Sequence, residues 1–167
     1  MAADVDPAAV TFVRYMDRSR DFYAAQGYDR PYRWAQHDDA PFRPLDRPLA
    51  ECRVGVVTTT SLHREDDGDA PGASGRAFAQ AATPHPSRMF TEHLEWDRDA
   101  THTDDVETFL PLRRLEEAVA AGTIGSVAER FYGVPTLYSH RRTARNAELV
   151  EGWCREDGVD VVLLIPL

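Results

Sequence analysis

Arg53-Val54-Gly55-Val56-Val57-Thr58-Thr59-Thr60, read RVGVVTTT, is the stretch that decides the fold. It is a β-branched run of strand length with no clean alternation of apolar and polar positions, the pattern of a parallel strand covered on both faces. A second such run spans positions 159–165 (VDVVLLI) and reads as another buried strand. Between the two, Leu112, Leu115 and Val119 predict a helix that starts near Pro111 and closes at Gly122. A short helix is expected over positions 124–130, before Gly133. Positions 143–157 carry Leu149, Val150, Trp153 and Cys154 on one helical face, with Gly158 at the C-cap. Strands alternating with helices predict an α/β fold with a mainly parallel sheet flanked by helices.

Outward from that core the signals weaken. Asp6 and Pro7 form an N-cap and first-turn pair, and Val10, Val13 and Met16 recur at helical spacing, which predicts a helix over 7–26 that ends at Gly27. Prolines at 31, 41, 44 and 48 forbid long regular structure and predict an extended arm packed by Tyr32, Trp34 and Phe42. Positions 61–87 fit neither period and read as one long loop, and 88–96 reads as a second strand. The expected organisation is one α/β domain over 1–167: an N-terminal helix over 1–27, an arm over 28–50 and a core over 51–167.

Composition narrows the function classes. With 167 residues, 43% hydrophobic and 28% charged, the chain has the make-up of a folded globular domain. All 19 basic residues are arginine, so there is no lysine to form a Schiff base with pyridoxal phosphate or to complete a phosphate-binding loop. A net charge of -9 argues against general nucleic-acid or anionic-membrane binding. Cys52 and Cys154 are the only two cysteines, too few for an iron–sulfur cluster held by four thiolates, and they read as small buried hydrophobes. No apolar run reaches the roughly 20 residues of a membrane helix, and the start of the sequence lacks a signal-peptide pattern, so a cytoplasmic location is expected.

Chemistry is expected where parallel strands end, because loops and helix N-termini converge there. Thr58, Thr59, Thr60, Ser61 and His63 leave the first strand; they suit either a polar ligand or hydrogen bonding within the turn. The stretch HLEWDRDATHTDD, positions 93–105, holds His93 and His102 with Asp97 and Asp105. Nitrogen and oxygen ligands of this kind suit a divalent transition metal such as Zn, Fe or Mn, with His63, His93 and His102 as ligands. They equally suit acid–base chemistry without metal, or solvated loop charges. Asp104 and Asp105 also precede a helix, where carboxylates cap. Arg76, within GASGR, and the pair Arg141–Arg142 could hold a carboxylate substrate or form surface ion pairs. No GxSxG is present. GVPT and GTIGS follow predicted helices, so neither makes a dinucleotide fingerprint.

Several stretches together resemble the selenoprotein B family of glycine, sarcosine, betaine and D-proline reductases, in particular its short stand-alone members. PYRWAQHDDAPFRPLDRPLAECRVGVVTTTSLH resembles the start of that domain, and GASGR resembles a segment ending in a recurrent arginine, here Arg76. HLEWD resembles the family's His-x-x-Tyr-Asp, carried by His93, Trp96 and Asp97. DDVETFLPLRRLEEAVAAGTIGSVAERFYG resembles an Asp-led Phe-Pro-Leu helix and the Gly-x-Ile-Gly segment after it, placing Asp105, Pro111 and Leu115. The resemblance implies an α/β domain acting on small amine- or carboxylate-containing metabolites. In the family a cysteine or selenocysteine motif follows the strand matching VDVVLLIPL, and the sequence stops at Leu167. The expectation is a member lacking that motif, or one whose selenocysteine codon is read as a stop.

The leading expectation is therefore a small enzyme of specialised metabolism, with His63, His93, Asp97 and Asp105 catalytic and Thr59, Thr60, Ser61 and Arg76 binding substrate. The alternatives are a noncatalytic subunit, a small-ligand-binding protein, or a truncated reductase. The last strand is expected to leave a free edge open to homo-oligomerisation.

Overall fold

The computed structural model describes residues 14–28, 38–39, 42–63, 75–91, 103–136 and 139–166. The chain forms two compact units, Met1–Arg43 and Pro44–Leu167. In the first, α1 spans Tyr15–Ala25. Its end is a Schellman pattern, with the Gly27 amide donating to Ala24 and the Tyr28 amide to Tyr23. Positions 7–13 of the expected helix lie outside the described residues, as do Tyr32 and Trp34 of the expected arm. Phe42 does not pack the arm as expected: it is 87% exposed.

The second unit is built around β1 (Arg53–Thr58), of which all but the first residue is buried. Along one edge it pairs in parallel with β5 (Val161–Ile165) over all five β5 residues. The other edge is shared by two short strands. β3 (Ser126–Val127) lies beside Arg53 and Val54, and β4 (Arg130–Gly133) lies beside Val57 and Thr58. β2 (Phe78–Ala81) then pairs antiparallel with β4. Among the described residues the sheet is thus mixed and open, with β1 pairing in parallel with β3, β4 and β5, and β2 antiparallel to β4.

Four expectations change at this level. Positions 124–130 form no helix; β3 and β4 occupy them, because their backbone completes the free edge of β1. The expected loop over 61–87 contains β2. The expected strand over 88–96 is reduced, among the described residues, to a single bridge between Phe90 and Ser61. GVPT follows β4, a strand, and not a helix.

Apolar side chains cover both faces of the sheet. On one face Val54, Val56, Phe78 and Phe131 pack with Met89, Phe109, Leu110 and α2 (Leu112–Ala120), which contributes Leu112 and Leu115. On the other, Val57 and Tyr132 pack beneath α3 (His140–Glu156) through Cys154, with Val150 and Trp153 beside them. The Trp153 and Tyr132 rings stack at 6.3 Å. Both cysteines are buried. Leu149, expected on the packed face of α3, is half exposed instead, since Val150, Trp153 and Cys154 already define that face.

α3 ends in the same way as α1: Gly158, at φ 62, donates to Arg155, and the Val159 amide donates to Cys154. That reversal sets Asp157 at the helix end and feeds the chain into β5. β5 itself is not the buried strand expected, because nothing among the described residues pairs its outer edge. No described helix is long and apolar enough to cross a membrane.

Candidate functional site

The carboxyl end of β1 is shaped by hydroxyls. Thr58 and Thr60, both buried, share a hydrogen bond between their hydroxyls at 3.0 Å, and the Thr60 amide donates to Thr58 Oγ1 at 3.3 Å. Short side-chain oxygens that bond backbone two residues away are what turns a chain out of a sheet. Ser61 then makes a double link. Its amide donates to the Phe90 carbonyl at 2.8 Å and its carbonyl accepts from the Phe90 amide at 2.9 Å. Its hydroxyl lies 2.8 Å from the His63 carbonyl and 3.3 Å from the Phe90 carbonyl. The last described residues before position 64 are thereby held against the segment that ends at Thr91.

Of the residues expected here, Thr60 and Ser61 use their hydroxyls to hold the turn. Thr59 and His63 are half-buried beside them. Arg76 is exposed in the turn that follows Gly75 and leads into β2. Asp105 is exposed and caps the short 3-10 turn Val106–Thr108, accepting the Glu107 amide at 3.1 Å. His93, Asp97 and His102 lie outside the described residues. Among the described residues, no three His, Cys, Asp or Glu side chains are arranged to hold a metal ion.

The amino end of the sheet carries a second polar cluster that the sequence did not suggest. Asp157 receives the Arg130 guanidinium through two nitrogens, at 2.8 Å each, and the Tyr132 hydroxyl at 2.6 Å. Arg130 also reaches Glu156 at 3.0 Å, and Arg53 donates to the Asp157 carbonyl. The Arg130 guanidinium holds the Asp157 carboxyl below the ordinary carboxylate range despite partial burial. Burial, then the bond to Asp157, pushes the Tyr132 hydroxyl up. Burial likewise raises the Cys154 thiol, which makes it a poor nucleophile at neutral pH. Arg130 Nε and Nη2, the Tyr132 hydroxyl and Arg53 Nη1 all bond Asp157, so the cluster is a clamp between the end of α3, β1 and β4.

Two further features went unread. His85 Nε2 lies 3.0 Å from Glu116 Oε1 on α2. An apolar groove of about 420 Å³ runs between α3 and the sheet, lined by Val57, Val134, Val150, Cys154, Val162 and Leu164. No sequence signal marks either, since each is made by elements far apart in the chain. No known family, curated protein or solved structure matches the chain.

Proposed function

We propose that the chain is a small-molecule enzyme of specialised metabolism, on a scaffold similar to the selenoprotein B reductases, with its site at the carboxyl end of β1. The proposed acid–base or ligating groups are His63, His93, Asp97 and Asp105, with Thr59 and Arg76 for a small carboxylate- or amine-containing substrate. The reading rests on the Ser61–Phe90 bridge. It ties Ser61, two positions before His63, to Phe90, three positions before His93, at the end of the central strand where α/β sheets bind ligands. Imidazole and carboxylate side chains are the usual proton carriers of acid–base catalysis, and this set supplies both kinds. If a divalent metal is bound, His63, His93 and His102 are the proposed ligands, and the ion would act as a Lewis acid on a bound oxygen.

The test is calorimetric titration of untagged protein with Zn²⁺ and, separately, with glycine, sarcosine, betaine and D-proline. At least one probe is expected to bind the wild type, and His63→Ala and His93→Ala are each expected to weaken that probe by at least about tenfold with an unchanged circular dichroism spectrum. Binding of no probe, or binding unchanged in both variants, contradicts the proposal.

A further inference from the structure

β5 presents an edge that neither the sheet nor the proposed site uses. It pairs β1 from Val54↔Val161 to Thr58↔Ile165, and among the described residues no strand pairs its other side. The Asp160 amide donates to the Arg53 carbonyl. On its opposite edge β1 uses the Val54 and Thr58 carbonyls to accept the Ala128 and Val134 amides, so Arg53, Gly55 and Val57 face β5; in the register Val54↔Val161 the backbone groups of Val161, Leu163 and Ile165 turn toward β1, and those of Val162 and Leu164 turn outward. VVLLI contains no charge, proline or glycine, the devices with which edge strands are usually blunted. Leu163 is 37% and Leu164 74% exposed.

We infer that this edge pairs with the β5 edge of a second copy of the chain, antiparallel about a two-fold axis through Leu163. Three features select that occupant. First, the outward backbone groups are self-complementary: Val162 meets the partner's Leu164 and Leu164 the partner's Val162, with Leu163 opposite the partner's Leu163 between them. The Val162–Leu164 pairs are positions where antiparallel strands exchange both hydrogen bonds, so no outward group is left over, and Leu163 faces its own copy at the closer, non-hydrogen-bonded position between them. Second, the same axis lays the two α3 helices antiparallel on one face of the joined sheet. The first half of α3 carries Arg141, Arg142 and Arg145 and no acid; the second half carries Glu148, Glu151 and Glu156, of which Glu151 pairs with Arg155 and Glu156 with Arg130. Each basic half is then directed toward the partner's acidic half. Third, Leu164, on the lip of the apolar groove under α3, is covered by the partner's Val162. Isologous two-fold pairing of this kind is the commonest route to a homo-oligomer. A five-residue strand is a small contact beside the roughly 800 Å² per partner of stable complexes, so the dimer is a concentration-dependent one.

Sedimentation velocity of the full chain over a dilution series reads this directly. The wild type is expected to pass from dimer to monomer on dilution. Leu163→Arg sets like charges opposite each other across the axis and is expected to weaken association by roughly tenfold or more, with an unchanged circular dichroism spectrum. Leu163→Cys is expected to form a covalent dimer on mild oxidation, and Leu164→Cys is not, since only position 163 faces its own copy within disulfide reach. A wild type monomeric at every concentration, a Leu163→Arg variant that associates like the wild type, or cross-linking at 164 and not 163 would each overturn the inference.

Discussion

The two ends of β1 are built from opposite kinds of interaction. At the amino end charges meet charges: Arg130, Arg53 and the Tyr132 hydroxyl all converge on Asp157, and the Arg53 amide donates to Asp160 at 2.9 Å. At the carboxyl end the contacts are those of hydroxyls and backbone, Thr58 with Thr60 and Ser61 with the carbonyls of His63 and Phe90. The first end joins α3 to the sheet through the Asp157 carboxylate and carbonyl. The second end shapes the turn that leads to His63 and holds it against Phe90. The clamp thus lies at one end of the strand and the proposed site at the other.

The largest test of this division is Asp157→Ala. It strands the buried Tyr132 hydroxyl and two guanidinium nitrogens at once, and urea unfolding is expected to show a loss of about 3 kcal/mol. A loss within error would mean that the clamp does not hold the fold. Acid should reproduce part of that loss. The Asp157 carboxyl titrates below its unfolded value, so its contribution is full above the ordinary carboxylate pKa of about 4 and disappears as pH falls through the lower folded value. The stability gap between wild type and Asp157→Asn should therefore close as pH drops from 5 toward about 2; a gap that stays constant contradicts the assignment.

At the other end the expected effect is smaller. Ser61→Ala removes one hydroxyl that bonds two carbonyls but leaves the backbone bridge, and should cost about 1 kcal/mol. Its sharper readout is local: the Phe90 amide, which donates to the Ser61 carbonyl, should exchange with solvent faster while core amides of β1 stay protected. Faster exchange throughout β1 would mean that the rim and the clamp are one cooperative piece.

What could be read from the sequence follows this division only in part. RVGVVTTT identified β1 because both its faces are buried, and α2 and the body of α3 followed from apolar spacing closed by Gly122 and Gly158. β2, with Phe78 as its one buried residue, carries no pattern of its own; it is a strand because β4 pairs it. Positions 124–130 mislead for a similar reason: a short apolar run has no decisive period, and pairing with β1 settles it. Gly125 shows the constraint, since a Cβ there would sit 2.7 Å from the Glu51 backbone carbon, so the turn into β3 must pass against the segment entering β1. The clamp was illegible because Arg130 and Asp157 lie 27 positions apart and nothing local marks either. Arg141 and Arg142, singled out as a pair, lie exposed on α3. The rim residues were legible as a group because they follow a recognisable strand, although the turn, and not a ligand, accounts for the hydroxyls of Thr60 and Ser61.

The central claim is that His63 and His93 act in one site. Histidine-ring NMR of the untagged protein during addition of Zn²⁺, and of the amine and carboxylate probes, tests it most directly. The account predicts that the rings of both residues respond to the same probe with one common midpoint. Separate midpoints, or a probe that moves one ring and leaves the other where it was, would contradict it.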